Sequence, residues 1–300
     1  MNNITERAML VALNISQWGA RKHDKKASED VAKLNGSDVQ MGRYTKDLVD
    51  KESLRNIQLI ARAAREHHMF NTLPWTDAGF RILPGAAYFD YVSEQRRYRA
   101  KYNAAVREFT AQYEDCVRKA RARLQGLFSF SDYPSHDEIA GKFQMECAFS
   151  PMPSGNDFRV TLGDEEVARL RAEIEQRVRS ATEDAMSDLW TRVHEAVARM
   201  SRNLNNYNVD PVSGKVQHPF RDSMVENLRA LAEVLPKLNV TGDPHLETMR
   251  TRLVEALCPH EAQDLRDSTD LRKSVAGEAD DILAEMAAYV GEDIAKGRAA

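Results

Sequence analysis

The stretch Val167-Ala-Arg-Leu-Arg-Ala-Glu-Ile-Glu-Gln-Arg-Val-Arg-Ser-Ala-Thr-Glu-Asp-Ala-Met-Ser-Asp-Leu189 sets an apolar residue at every third or fourth position. The pattern continues through Val193, Val197, Met200 and Leu204. Charged residues fill the gaps, so residues 163–205 read as one long amphipathic helix. The steps follow the helical period rather than a strict heptad repeat. A second stripe runs Val92, Tyr102, Val106, Phe109, Tyr113, Val117, Ala120, Leu124 and Leu127. Each rod is about 60 Å long at 1.5 Å rise per residue. A lone amphipathic rod leaves its apolar seam in water, so the sequence predicts that the two pair antiparallel.

Between the rods lies a short aromatic and proline-containing segment. Ser135-His-Asp-Glu138 is a capping box that opens a short helix. Residues 144–150 alternate Met145, Cys147 and Phe149, and residues 158–162 alternate Phe158, Val160 and Leu162. The Pro151–Asp157 stretch supplies a turn, which predicts a β-hairpin at the tip. Near the start, Val11, Leu13 and Ile15 alternate in a further strand that could join the hairpin. A short helix from Ser28 ends at Asn35-Gly36, residues 50–68 carry a helical stripe (Leu54, Ile57, Ile60, Ala61, Ala64), and residues 80–83 form a short strand. After a turn-rich linker at 206–214, helices are expected over 220–235, ending at Pro236, over 245–257, and over 260–295 with a bend near Gly277.

The expected fold class is therefore mainly α (α+β): a long antiparallel helical hairpin, a small β-hairpin or sheet between its helices, and a C-terminal helical bundle. The expected organisation is an N-terminal α/β lobe at 1–87, the hairpin at 88–205 with its β tip at about 143–162, and a C-terminal helical region at 206–300.

At 300 residues, 42% hydrophobic and 29% charged, the chain has the composition of a folded soluble protein. No apolar run approaches the ~20 residues of a membrane helix. Met1-Asn-Asn-Ile-Thr-Glu-Arg7 has no basic stretch feeding an apolar one, so no signal peptide is expected. These features point to the cytoplasm of a bacterium or a phage-infected cell. A net charge of −4 argues against binding nucleic acid with the whole surface. The charge is uneven, however. Residues 96–123 hold nine basic residues against three acids, whereas residues from His260 onward hold ten acids against five Lys or Arg.

Catalytic signatures are missing from the sequence: it contains no phosphate-binding P-loop, no dinucleotide Gly-x-Gly-x-x-Gly and no Gly-x-Ser-x-Gly elbow. Adjacent His67 and His68 lie about 100° apart on a helix, awkward for sharing a metal, and His194-Glu195 lacks the second histidine of a zincin. Cys116, Cys147 and Cys258 are too few and too scattered for a disulfide framework or zinc site and read as buried free thiols. Glu165-Glu166 sits at a helix start, where negative charge complements the macrodipole. Neither cofactor nor metal is expected. Arg96, Arg97, Arg99, Lys101, Arg118, Lys119, Arg121 and Arg123, interleaved with aromatics, form a candidate nucleic-acid face, with Arg21–Lys26 as a second basic patch. Trp18 and Trp75 either seal the N-terminal lobe or present a docking surface.

Four strings carry a resemblance: Leu13-Asn-Ile-Ser-Gln-Trp-Gly-Ala-Arg-Lys22, the loop ending Arg81-Ile-Leu-Pro84, Tyr102-Asn-Ala-Ala-Val-Arg-Glu-Phe109, and Lys142-Phe-Gln-Met-Glu-Cys-Ala-Phe149. Together, over most of residues 9–162, they resemble an uncharacterised family of bacterial and tailed-phage proteins. Genes of that family often lie beside a MoxR-type AAA+ ATPase and a von Willebrand factor A-domain protein. Gln17-Trp-Gly differs from the family's Trp-Ser-Gly order, and the family defines no catalytic residues. The resemblance implies a AAA+ partner, with this chain as adaptor, substrate or structural component. The expected function is a non-enzymatic interaction protein that engages such a partner or self-assembles. The alternative is a nucleic-acid-binding accessory protein using residues 96–123.

Overall fold

The computed structural model describes residues 4–76, 79–155, 164–210, 213, 215–287 and 289. Helix accounts for 69% of the chain, so it is mainly α with a small antiparallel sheet. In order the elements are α1 (Ile4–Arg7), β1 (Ala8–Ser16), β2 (Arg21–His23), α2 (Lys25–Asn35), β3 (Thr45–Asp47), α3 (Lys51–Phe70), β4 (Leu73–Pro74), β5 (Arg81–Pro84), α4 (Tyr88–Ala111) and α5 (Tyr113–Leu124). There follow α6 (His136–Ile139), β6 (Gln144–Pro151), α7 (Asp164–Asn206), β7 (Asn208–Val209), β8 (Val216–Gln217), α8 (Ser223–Leu238), α9 (Pro244–Arg252), α10 (Ala262–Asp267) and α11 (Thr269–Met286).

The main sheet has the order β4-β5-β1-β6, and β1 pairs antiparallel with β5 from Ala8↔Pro84 to Val11↔Arg81. The strand expected around Leu13 thus neighbours β6, as the sequence suggested. The second half of the expected tip hairpin, residues 158–162, lies outside the described residues. Small two-stranded ladders join β2 to β3 and β7 to β8, the latter starting in the expected linker and ending just past it.

Two compact units make up the chain, each drawn from separate stretches. The first takes residues up to Val11, residues 71–88 and the chain from Phe149 onward; the second takes 12–70 and 89–148. The three consecutive segments expected from the sequence do not coincide with these units.

In the first unit, α7 packs on α11 and α8. Its stripe residues Leu189, Val193, Val197, Met200 and Leu204 share a core with Leu228, Leu235, Leu253, Val275, Ala279 and Ile282. The stripe is buried only from Ala181 onward; Val167, Leu170 and Ile174 stay partly exposed. In the second unit, Leu54, Ile57, Ala61 and Ala64 of α3 face Tyr102, Val106, Phe109 and Tyr113, and Ile139, Phe143 and Met145 complete the core. The expectation that the two long stripes cover each other is corrected here: each is covered within its own unit. Periodicity specifies which face of a helix must be buried but not what buries it, and α3 and α11 supply the matching faces. The first long helix is also divided, with α4 ending at Ala111 and α5 starting at Tyr113.

Two further boundaries differ from expectation. Pro236 lies inside α8, which continues to Leu238. There it removes the bond that its N–H would give to the Ala232 carbonyl, and the buried Leu235 and Leu238 hold the turn in place despite that loss. The break expected near Gly277 falls at Ser268 instead, whose side chain caps α11 by accepting from the Leu271 N–H. Gly277 has open space around it and sits within an unbroken helix. The Asn35-Gly36 stop is as expected, with Gly36 at φ 61°, the left-handed region that favours glycine.

Candidate interaction surface

The surface of the second unit is shaped by one buried cation and one loop. After α5 the chain turns at Gln125, whose φ of 45° is strained for a non-glycine residue. It then presents Phe128, Phe130 and Tyr133 before the capping box of α6. Lys46 of β3 anchors this loop. Its Nζ donates to the Leu127 carbonyl (2.6 Å) and to Asp24 Oδ2 (2.9 Å), and it lies 2.8 Å from Asp132 Oδ2 as an ion pair. An ammonium has three donors and meets three oxygens here, which is how a side chain only 5% exposed keeps its charge. Burial pulls the Lys46 pKa down, but Asp132 and Asp24 outweigh that effect and leave it above the usual lysine value. Asp24 is held low first by the Ala27 N–H that it caps and then by Lys46. Two tyrosines add anchors: Tyr133 donates to the Leu48 carbonyl (2.8 Å) and Tyr113 to the Pro134 carbonyl (2.9 Å).

The anchored loop and α5 enclose a groove of about 370 Å³ lined by Tyr113, Val117, Arg118, Arg121, Phe128, Phe130, Tyr133 and Pro134, among others. Phe130 is 64% exposed. Phe128 meets it edge-on with centroids 4.8 Å apart, and the Arg121 guanidinium lies 5.5 Å from its centroid. Burial pushes the Tyr113 hydroxyl up to about 12. Exposed aromatic rings beside arginine are the composition of binding hot spots.

All eight basic residues predicted from the sequence are exposed. Arg97 pairs with Glu94, Arg118 with Asp115 and Arg123 with Asp50. Arg118 and Arg121 line the groove; Arg96, Arg99 and Lys101 lie further back on α4. The interleaved Tyr102, Phe109 and Tyr113 are core residues. Trp18 is half-buried against Phe109 and Tyr113, its ring 5.8 Å from Tyr113, and Trp75 packs on the core of the first unit. Each packs, partly buried, against the core of its own unit.

A polar cluster joins α3, α4 and β6. His68 Nδ1 lies 2.7 Å from the Tyr91 hydroxyl, which is 3.9 Å from Cys147 Sγ. Gln95 Nε2 donates to the Ala64 carbonyl, and His67 stacks on Tyr91. Burial raises the pKa of Cys147 and lowers that of His67. A thiol whose pKa is raised by burial is a poorly activated nucleophile. The three cysteines are free and half-buried, less enclosed than expected. Among the described residues, no group of three His, Cys, Asp or Glu is placed to hold a metal, and no helix is long and apolar enough to cross a membrane.

Lys46 and Phe130 escaped the sequence reading. Thr45-Lys46-Asp47 has no local signal of burial, because the partners of Lys46 come from positions 24, 127 and 132. The alternation of aromatic and polar residues from Phe128 to Tyr133, outside any helical stripe, was the available clue to the groove. Comparison of the chain with family models, curated proteins and solved structures found no match.

Proposed function

We propose that this chain is a non-enzymatic interaction protein whose docking surface is the aromatic–arginine groove between α5 and the loop 125–136. The supporting observation is Phe130: a large apolar ring held out in solvent by a loop anchored on a buried lysine. Rigid exposed aromatics lower the ordering cost of binding. Leu34 and Met41, 85% and 84% exposed, add apolar area elsewhere on the same unit. The family resemblance suggests a AAA+ ATPase as the partner, or a second copy of this chain, in the cytoplasm of a bacterium or phage-infected cell. Size-exclusion chromatography with light scattering, alone and mixed with a MoxR-type AAA+ ATPase, tests this reading. The wild type should form a complex or oligomer that Phe130→Ala with Arg121→Ala abolishes without shifting the melting temperature. A complex indifferent to both substitutions removes the groove from the account.

Nucleic-acid binding is the second reading. It is favoured by Arg96, Arg99, Lys101 and Lys119, which are exposed and make no ion pair among the described residues. Against it, Arg121 lies over Phe130, where a base would stack. Fluorescence anisotropy with labelled single- and double-stranded DNA at two salt concentrations decides, since phosphate contacts weaken steeply with salt.

A further inference from the structure

The groove beside Phe130 is polarised along its length. Glu114, Val117, Arg118 and Arg121 line it from α5, and Phe128, Phe130 and Tyr133 line it from the loop. The four α5 positions share one helix face. Glu114 and Arg121 lie about 10 Å apart along the axis at 1.5 Å rise per residue. The α5 wall therefore runs from an acid, past an apolar step at Val117, to two arginines.

The positive end is open to a ligand. Arg121 is exposed and makes no ion pair among the described residues. Arg118 pairs with Asp115 one turn back, with both side chains exposed, and exposed pairs hold their partners weakly. On the loop, Asp132 is engaged by Lys46, and Glu138 accepts from the Ser135 N–H at 3.0 Å in the capping box. The surrounding helices have the same sign. Of the nine basic residues at 96–123, only Arg97, Arg118 and Arg123 have ion-pair partners among the described residues. Six remain without one, against Glu108 and Glu114. Such a surplus favours an acidic partner.

We propose that the groove takes an acidic protein segment carrying one bulky apolar side chain. That side chain lies over Val117 among Phe128, Phe130 and Tyr133, and carboxylates on one side of it meet Arg118 and Arg121. Glu114 repels carboxylates at the other end, which gives the segment a direction. This identifies the partner's chemistry for the interaction reading and rests on that reading. A nucleic-acid strand fits less well: its phosphates run past Glu114 as well as the arginines, and Arg121 lies over the Phe130 ring that a base would need.

Fluorescence anisotropy of the full chain with short labelled peptides tests it. One peptide has a central Phe followed by a run of Glu, a second has Ala for that Phe, and a third has Lys for every Glu; oligothymidylate of equal length is the fourth probe. The acidic Phe peptide should bind saturably and more weakly as salt rises. The Ala peptide should bind about tenfold more weakly, because the apolar anchor is lost, and the Lys peptide undetectably. Arg121→Glu and Phe130→Ala, both at exposed positions, should each weaken the acidic peptide about tenfold while melting like wild type. Glu114→Gln should tighten a peptide with Glu on both sides of Phe. The proposal is overturned by no saturable binding of the acidic peptide, by equal binding of the Lys peptide, by indifference to Arg121→Glu, or by tighter binding of oligothymidylate. In those cases a partner complex that still depends on Phe130 keeps the groove as the docking surface and removes only its acidic occupant; a complex indifferent to Phe130 removes both.

Discussion

The two units each cover the apolar stripe of a long helix, but with different chemistry. The first surrounds α7 with Leu, Val, Ile, Met and Ala, and its only aromatic core residues among those described are Trp190 and Phe220. The second builds its core from the aromatic residues Tyr102, Phe109 and Tyr113 of α4 and α5 with Phe143, supported by Trp18, Tyr98 and Tyr133. It also buries Lys46, His68, Gln95 and Ser28, four of the six buried polar residues among those described. Aliphatic burial is non-directional and tolerates repacking. Satisfied polar groups fix geometry, because each lost partner leaves a costly orphan. The contrast suggests why the groove sits on the second unit: a rigid exposed ring needs directional anchors beneath it.

The largest expected effects come from truncation in the two cores. Phe109→Ala should cost about 4 kcal/mol and Leu189→Ala about 3 kcal/mol in denaturant titrations. Conservative Leu189→Met should cost under ~1.5 kcal/mol; a loss as large as that of the alanine variant would show that the first core is as geometrically demanding as the second. Next comes Lys46→Met, which leaves the Asp132 carboxylate buried and uncompensated at a cost of about 3 kcal/mol. Adding Asp132→Leu should recover most of that loss. No recovery would mean that Lys46 acts chiefly through the Leu127 carbonyl.

Tyr133→Phe removes only the hydroxyl bonded to the Leu48 carbonyl and should cost about 1 kcal/mol, with more rapid hydrogen exchange in loop 125–136 than elsewhere. The smallest effect is on pH dependence. Burial lowers the pKa of His67 while Glu94 partly opposes it. The unfolded chain therefore binds that proton more readily. The stabilising contribution of neutral His67 is complete above the ordinary histidine value of 6.5 and is lost as pH falls through the lowered folded value. His67→Gln should flatten the decline in stability on acidification; an unchanged profile would remove His67 as its source.

Local structure was legible wherever the signal was local. Alternation around Leu13 marks β1, Ser135 and Glu138 mark the cap of α6, and Asn35-Gly36 marks the end of α2. The stripe of α3 and the stripes of the two long helices were read correctly as faces. Their partners were not, because α3 and α11 compete for those faces and periodicity carries no address. Pro236 and Gly277 misled the reading for a related reason: a breaker's effect depends on whether neighbours such as Leu235 and Leu238 are pinned by a core. At the candidate site, exposure of the basic residues was anticipated, while burial of Lys46 arises from contacts distant in sequence and had no local trace.

A double-mutant cycle on Phe109→Ala and Leu189→Ala addresses the separate covering of the two stripes most directly. Residues in separate cores should have additive effects, within about 0.5 kcal/mol. A coupling energy well above 1 kcal/mol would mean that the two long stripes share one core, and the two-unit account would be wrong.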